Sequence, residues 1–241
     1  MISAPGGTGK SFLSIQLAIR IIAENPSKRV LLWLSEDPLF YTKDRIDKIF
    51  NRITPHLQDK KEKILANIDI IGADKPTIYF NELEEKEQIE LGDELVVNYN
   101  VIVIDPLIGF YAGEENSNSE ARRFMNILNR IAQDRLLSII LIHHHNKNGD
   151  GAKTRGASAF VDAVRLLYTL NTFNLKEDEN KIHPTKRLLK IEKDNWGVRQ
   201  VLGVDEFERE ILPYNINVKE INIKEEENEN NEEKKQIFDL I

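Results

Sequence analysis

The residues best suited to chemistry lie near the start of the chain, in the order Ala4-Pro5-Gly6-Gly7-Thr8-Gly9-Lys10-Ser11. Small residues let successive backbone N–H groups turn inward around phosphates, and a helix that begins there adds the positive end of its dipole. The apolar spacing of residues 12–22 predicts such a helix. We predict that Lys10 reaches the β and γ phosphates of a nucleotide and that the Ser11 hydroxyl holds Mg²⁺. The alternative is a glycine-rich turn before an ordinary helix. The predicted phosphate-binding residues are Pro5, Gly6, Gly7, Thr8, Gly9, Lys10 and Ser11.

Acidic residues follow two apolar runs that read as buried strands. Asp105 ends one run, and Glu36 and Asp37 follow the other, residues 29–34. Because ligands of open α/β sheets bind outside the carboxyl ends of parallel strands, these acids are expected beside the loop. We predict that Asp105 holds Mg²⁺ through water and that Glu36 deprotonates the attacking water. The alternatives are that Asp105 merely ends a strand and that the acids, with Pro38, cap the following helix.

A third predicted strand, residues 138–142, runs directly into His143, His144 and His145. Neighbours on an extended strand face opposite sides of the sheet, so these imidazoles cannot all reach one site. No second group of ligands accompanies them in the sequence, which argues against a metal site. We predict instead that one histidine donates a hydrogen bond to the γ-phosphate or to the catalytic water.

Strand candidates alternate with helical patterns along most of the chain, which predicts an α/β fold with a mostly parallel central sheet flanked by helices. The last strand candidates follow one another without helices, so we expect a C-terminal antiparallel extension. The predicted strands are 29–34, 68–71, 101–106, 138–142, 163–170, 187–192, 200–204 and 211–214, and the predicted helices are 12–22, 39–52, 81–95 and 119–134.

The length of 241 residues suits one large domain, which we place at residues 1–217. Residues 218–241 are rich in Glu and Asn, and this acidic tail is predicted to be disordered. Only residues 1–3 precede the loop, where a buried strand of about five residues is usual. We therefore expect the first strand to be truncated and the chain to be a shortened form.

Composition excludes several classes of protein. The net charge of −7 argues against a generally basic nucleic-acid-binding surface and allows only a local basic patch. The chain has no cysteine, which excludes disulfides, thiolate metal sites and a cysteine nucleophile. No apolar run approaches the roughly 20 residues of a membrane span, so we expect a soluble, cytoplasmic protein without a membrane partner.

In their order these motifs resemble the RecA-like ATPases, and within them the plasmid RepA-type hexameric replicative helicases. The resemblance runs from Ser3 to about Gly197. It implies a RecA-like P-loop fold, Mg²⁺-dependent ATP hydrolysis, and a homo-hexameric ring with ATP between neighbouring chains. The matching segments are Ser3–Ser11, Leu13–Ala18, Leu34–Pro38, Val103–Asp105, Glu114–Asn116, Ile142–His144, Arg155–Ala159, Val161–Arg165 and Lys193–Gly197.

The resemblance also implies roles for single residues. Glu36 stands at the family's catalytic glutamate, Asp105 at its Mg²⁺ aspartate and His144 at its sensor histidine. Arg45 stands where the family keeps an arginine on the next helix, and the alternative is a solvated helix residue.

Arg165 stands at the position of an arginine finger that a neighbouring chain contributes, with Arg155 as the substitute candidate. The alternative for Arg165 is a surface or sheet-edge arginine. Lys193 could reach a phosphate across the interface or belong to a plain turn. Trp196 could stack on a base, although a tryptophan packed in the protein interior is the expectation.

The polar segment 146–154, with Lys147 and Lys153, occupies the position where RecA-like proteins contact single-stranded DNA. The alternative is an ordinary exposed loop. The resemblance therefore predicts a RepA-type replicative helicase that acts on single-stranded DNA. The alternatives are a RecA-like DNA-binding regulatory or recombination-mediating ATPase that does not unwind DNA, and a small-molecule kinase. The kinase is the weaker one, because no arginine-rich lid segment is evident.

Overall fold

The computed structural model describes residues 1–135, 137–144, 158–175 and 178–211. Several sequence predictions lie outside the described residues, namely those for His145, the loop 146–154, Arg155 and the tail 218–241.

An eight-stranded sheet forms the centre of the described chain. Its strands are β1 (Ile2–Ala4), β2 (Val30–Leu34), β3 (Ile68–Ile71), β4 (Val101–Asp105), β5 (Ser138–His144), β6 (Leu166–Leu175), β7 (Asp178–Asp194) and β8 (Glu206–Glu210). They lie in the order β3-β2-β4-β5-β1-β6-β7-β8. Neighbours from β3 to β6 pair in parallel, whereas β7 pairs antiparallel with both β6 and β8. The predicted mostly parallel sheet with an antiparallel C-terminal extension is confirmed.

The helices are α1 (Lys10–Glu24), α2 (Leu39–Arg52), α3 (Lys61–Leu65), α4 (Glu85–Asn98), α5 (Asn118–Arg135), α6 (Ser158–Ala163) and α7 (Val198–Leu202), with 3₁₀ helices at Pro55–Lys60 and Leu107–Phe110. Helix α4 begins at a capping box in which the Glu87 side chain accepts a hydrogen bond from the Glu84 N–H at 2.8 Å. None of the described helices combines the length and the apolar character that crossing a lipid bilayer requires.

Strand β1 is short but lies in the middle of the sheet, where Ile2 pairs with Ile142 of β5 and with Tyr168 of β6. We call the edge of the sheet where β1, β2, β4 and β5 end the carboxyl edge, and the edge where they begin the amino edge. Because β1 leads directly into the phosphate loop (residues 4–11), the loop lies at the carboxyl edge.

Alternating side chains of the central strands bury both faces of the sheet. Leu31 and Trp33 pack in one layer with residues of α4, α5 and α6, among them Phe124. Val30 and Leu32 pack in the other layer with residues of α1, α2 and α3. Parallel strands covered on both faces need an apolar side chain at every position, which explains the continuous apolar runs in the sequence.

The C-terminal extension differs from its predicted boundaries. Residues 200–204 were predicted as a strand, but residues 198–202 form helix α7. The strand predicted from Ala163 begins at Leu166, because Ala163 ends helix α6. The strand β8 lies before the predicted 211–214 segment, of which only Ile211 is described.

Candidate active site

The phosphate loop connects β1 to α1 with two glycines in left-handed backbone conformation. Gly7 has φ 77° and Gly9 has φ 106°, values that side chains with a Cβ rarely adopt. The Thr8 hydroxyl donates a hydrogen bond across the loop to the Pro5 carbonyl at 2.9 Å. Helix α1 begins at Lys10 directly after Gly9, so the loop lies at the helix N-terminus, where anions are favoured.

Lys10 is buried beneath the loop. Its ammonium donates to the carbonyl oxygens of Ala4 at 2.8 Å and Pro5 at 2.9 Å, and it lies 3.2 Å from His144 Nδ1. Burial lowers the pKa of Lys10 to about 8, while the charge of Asp105, and then that of Glu36, opposes this shift. Asp105 and Glu36 therefore both favour the charged form of this ammonium.

The histidines of β5 have different surroundings. His144 meets Lys10 at the carboxyl edge. His143 is buried, and its ring packs against Phe160 of α6 with centroids 5.7 Å apart. The predicted sensor, His144, is therefore the one that lies beside the loop.

Asp105 ends β4 and is buried next to the phosphate loop. Desolvation raises the pKa of its carboxyl to about 6, while the Ser11 side chain and Lys10 favour the ionised form. Within the described chain its Oδ2 atom is buried without a hydrogen-bond partner. A buried carboxylate oxygen beside a serine hydroxyl provides the hard oxygen donors that Mg²⁺ prefers, so these residues fit a magnesium ion.

Glu36 lies in the turn after β2, at the same edge of the sheet. The residue as a whole is exposed, but partial desolvation of its carboxyl, and then the charge of Asp37, raises the pKa of Glu36, while Lys10 lowers it. The preceding residue, Ser35, donates its N–H to the Asp105 carbonyl at 2.9 Å. This hydrogen bond holds the turn that carries Glu36 against the end of β4.

Comparison with known proteins identifies the family of this chain. A family model described as an AAA domain matches residues 1–150, which is more than half of the chain. The chain belongs to the AAA domain family.

The fold of this AAA domain is also similar to a solved structure, the crystal structure of the RadB recombinase. The TM-score is 0.53 at 15% sequence identity, over 81% of this chain and 81% of that chain. The likeness shows a RecA-like fold, as predicted from the sequence. The narrower resemblance to RepA-type helicases stays a prediction.

Arg45 of this AAA domain forms an ion pair with Asp37, in the turn after β2. Its guanidinium donates to both carboxylate oxygens of Asp37 and lies over the Phe12 ring, 5.5 Å from the centroid. The alternative that the acids cap α2 is wrong for Asp37, because its carboxylate binds Arg45 and the Leu39 N–H at the start of α2 donates to Asp74 Oδ1 at 3.2 Å. With Glu36 and Tyr41, this ion pair lines an open pocket.

Arg165 lies far from the phosphate loop of its own AAA domain. It is exposed and directly precedes β6, whose Tyr168 pairs with Ile2 at the start of β1. Arg165 therefore lies at the amino edge, whereas the loop lies at the carboxyl edge. Any contact between Arg165 and bound phosphates requires a second chain.

Two other residues for which the sequence predicted a role, Lys193 and Trp196, lie at the amino edge. Lys193 donates to the carbonyl oxygens of Val161 at 3.2 Å and Asp162 at 2.7 Å, at the end of α6. The expectation that Trp196 packs in the interior is wrong, since its side chain is 69% exposed. Trp196 lies in a tight turn in which Asp194 Oδ1 accepts a hydrogen bond from the Trp196 N–H at 3.0 Å.

Sequence reasoning missed Arg187, which contacts the loop from β7. Its Nε–H donates to the Thr8 carbonyl at 2.9 Å. In the sequence, Arg187 is only a charged residue at the start of a predicted strand. Such residues are usually exposed, so the pattern does not indicate a contact with the loop.

Proposed function

We propose that this AAA domain binds and hydrolyses ATP as a RecA-like motor ATPase. One observation carries the proposal: beyond the carboxyl ends of β1, β4 and β2, an ammonium, a buried carboxylate beside a serine hydroxyl, and an exposed carboxylate lie beside a glycine-rich loop with two residues at positive φ. The residues concerned are Lys10, Asp105, Ser11 and Glu36.

Each residue has a role that follows from its surroundings. Ser11 and Asp105 would hold Mg²⁺, and the bound ion would neutralise negative charge on the β and γ phosphates. The Lys10 ammonium exchanges its bonds to loop carbonyls for phosphate oxygens. Glu36, exposed and with a raised pKa, accepts the proton of the attacking water. His144, beside Lys10, senses the γ-phosphate.

We further propose that the site is completed across a ring of identical chains, with Arg165 of one chain as the finger for the next. Its exposed position at the amino edge supports this role, because a head-to-tail contact joins that edge to the carboxyl edge of a neighbour. With the RepA-type motifs, this arrangement favours a hexameric helicase that acts on single-stranded DNA.

The similarity to the RadB recombinase favours a second candidate, a RecA-like ATPase that binds DNA or mediates recombination without unwinding. A strand-displacement assay with a parallel measurement of DNA-stimulated ATP hydrolysis separates the two. Displacement supports the helicase, whereas stimulation without displacement supports the recombination-type module.

The test of the catalytic assignment is Glu36→Gln. Because this change removes the proton acceptor and keeps the shape, we expect a loss of ATP turnover of about 10²-fold or more with retained nucleotide binding. Lys10→Ala should abolish turnover by weakening phosphate binding. Phosphate release measures turnover, and a fluorescent ATP analogue measures binding.

The matched control is Glu24→Gln, an exposed glutamate at the opposite end of α1 from the loop, which should keep wild-type turnover. Near-normal hydrolysis by the Glu36→Gln variant would remove Glu36 from the mechanism. Absence of nucleotide binding by the wild-type chain would end the proposal as a whole.

A further inference from the structure

Arg187 is a buried arginine that joins the antiparallel strands to the phosphate loop. It is 4% exposed, and its Nε–H donates to the Thr8 carbonyl at 2.9 Å. Its Nη1 donates to the carbonyl oxygens of His183 at 2.9 Å and Lys186 at 2.7 Å. The guanidinium is therefore fixed by its own strand on one side and holds the loop on the other.

The hydrogen bond from Arg187 to the Thr8 carbonyl also affects the orientation of the Thr8–Gly9 peptide unit. The Thr8 carbonyl and the Gly9 N–H belong to one planar peptide unit and point in opposite directions. Gly9, at φ 106°, has no Cβ and can adopt more φ values than other residues. By holding the carbonyl outward, Arg187 keeps the Gly9 N–H directed into the loop, where phosphates are expected to bind.

The charge of Arg187 is not neutralised by a carboxylate in the described part of the chain, where its hydrogen bonds all go to backbone carbonyls. Burial lowers the pKa of Arg187, but a guanidinium stays charged near neutral pH. An unpaired buried cation is costly unless an anion approaches it. A polyphosphate in the adjacent loop is such an anion.

We propose that Arg187 is a positioning residue for the phosphate loop, through which the antiparallel extension sets the affinity of the loop for a nucleoside triphosphate. This inference rests on the proposed ATP-binding function. Arg187 acts through the Thr8–Gly9 peptide, so its loss should weaken binding rather than remove a catalytic group.

The experiment compares three full-length variants by the dissociation constant of a fluorescent, non-hydrolysable ATP analogue with Mg²⁺. Arg187→Met keeps the length of the side chain and removes its donors and charge, and we expect binding about tenfold weaker. Arg187→Lys keeps the charge without the fork of donors and should lose less. The control is Ile191→Ala, in the same strand and buried but paired with Tyr168 of β6, which should destabilise the fold and bind within about twofold of wild type.

Hydrolysis at saturating ATP gives a second readout, since a positioning role raises KM more than it lowers kcat. If Arg187→Met does not fold, Arg187→Lys decides the question. Binding by both arginine variants within about twofold of wild type would overturn the proposal. So would an equal loss of binding in Ile191→Ala, because the effect would then come from stability alone. A wild-type chain that binds the analogue but does not hydrolyse ATP would contradict the proposed function and leave this test intact.

Discussion

At the scale of single residues, burial shifts two charged groups of the site toward their neutral forms. The pKa of Lys10 falls to about 8, and that of Asp105 rises to about 6. The attraction between the two groups offsets only part of the cost of desolvation. The charged forms of both groups therefore destabilise the ligand-free site. A bound anion beside Lys10 or a cation beside Asp105 would reduce this cost of desolvation.

This reasoning predicts that Asp105→Asn stabilises the metal-free protein. The folded carboxyl has its pKa near 6 against an ordinary 3.8, so its ionisation destabilises the folded state at neutral pH. Allowing for a new buried N–H group, we expect a gain of about 1–2 kcal/mol in the free energy of unfolding at pH 7.5. Urea denaturation with EDTA present measures it.

The sign of the pH dependence provides the control. A carboxyl with a raised folded pKa is protonated in both states well below pH 3.8, and its ionisation costs stability as the pH rises from about 3.8 to about 6. The advantage of Asp105→Asn should therefore shrink toward pH 4. An equal change at both pH values, or a loss at pH 7.5, would contradict the assigned cause.

At the scale of elements, the turn after β2 and the 3₁₀ helix after β4 are in close contact. A Cβ atom on Gly109 would lie 2.0 Å from Ser35 Oγ and 2.9 Å from Ser35 Cβ. Only glycine permits this approach, and Ser35 immediately precedes Glu36. The contact therefore helps to determine where the Glu36 carboxylate lies.

We predict that Gly109→Ala both destabilises the fold and slows ATP hydrolysis. The added methyl group must displace Ser35, which costs about 1–3 kcal/mol as overpacking and moves Glu36 away from its place. Chemical denaturation and phosphate release at saturating ATP measure the two effects.

The matched control is Gly92→Ala in helix α4, where the new Cβ would lie 3.4 Å from Ile131 Cγ1, an ordinary contact. There alanine should stabilise the helix by about 0.5–1 kcal/mol and leave hydrolysis unchanged. Equal behaviour of the two variants would show that the Ser35 contact does not position Glu36.

At the scale of the whole molecule, the phosphate loop and Arg165 lie at opposite edges of the same sheet. For the loop and Arg165 to act in the same reaction, the loop of one chain must lie against Arg165 of a second chain. In a ring, each interface would then join the carboxyl edge of one chain to the amino edge of the next, because head-to-tail contacts repeat the same pair of surfaces.

We predict that Arg165→Ala and Lys10→Ala are each inactive alone and complement each other when mixed. The first variant keeps an intact loop and the second keeps an intact Arg165, so about a quarter of the interfaces in a random one-to-one ring are complete. Arg165→Ala alone should lose about 10³-fold in turnover. Native mass measurement with a non-hydrolysable ATP analogue should show a hexamer.

Arg122→Ala, an exposed arginine on α5, serves as the control and should stay active without a partner. No gain of hydrolysis in the mixture would exclude Arg165 as a residue that acts between chains. A strict monomer at micromolar concentration would exclude the ring.

Most of the central sheet was predictable because a strand buried on both faces requires a continuous apolar run. The C-terminal region was less predictable, since its antiparallel strands are partly exposed and their pattern is weaker. Residues 200–204 have strand-like composition, yet Gly197 and Gly203, with φ 75° and 68°, bound a short helix there. Local composition did not reveal those turns.

The sequence by itself determined the phosphate loop, the acids at the strand ends and the α/β class, because spacing and turn chemistry are local properties of the chain. Only the tertiary structure decided that Arg45 binds Asp37, that Arg187 holds Thr8 and that Arg165 lies at the amino edge. These relations depend on strand order, helix orientation and side-chain direction. Hydrophobic periodicity shows which face of an element is buried, but not which element lies against it.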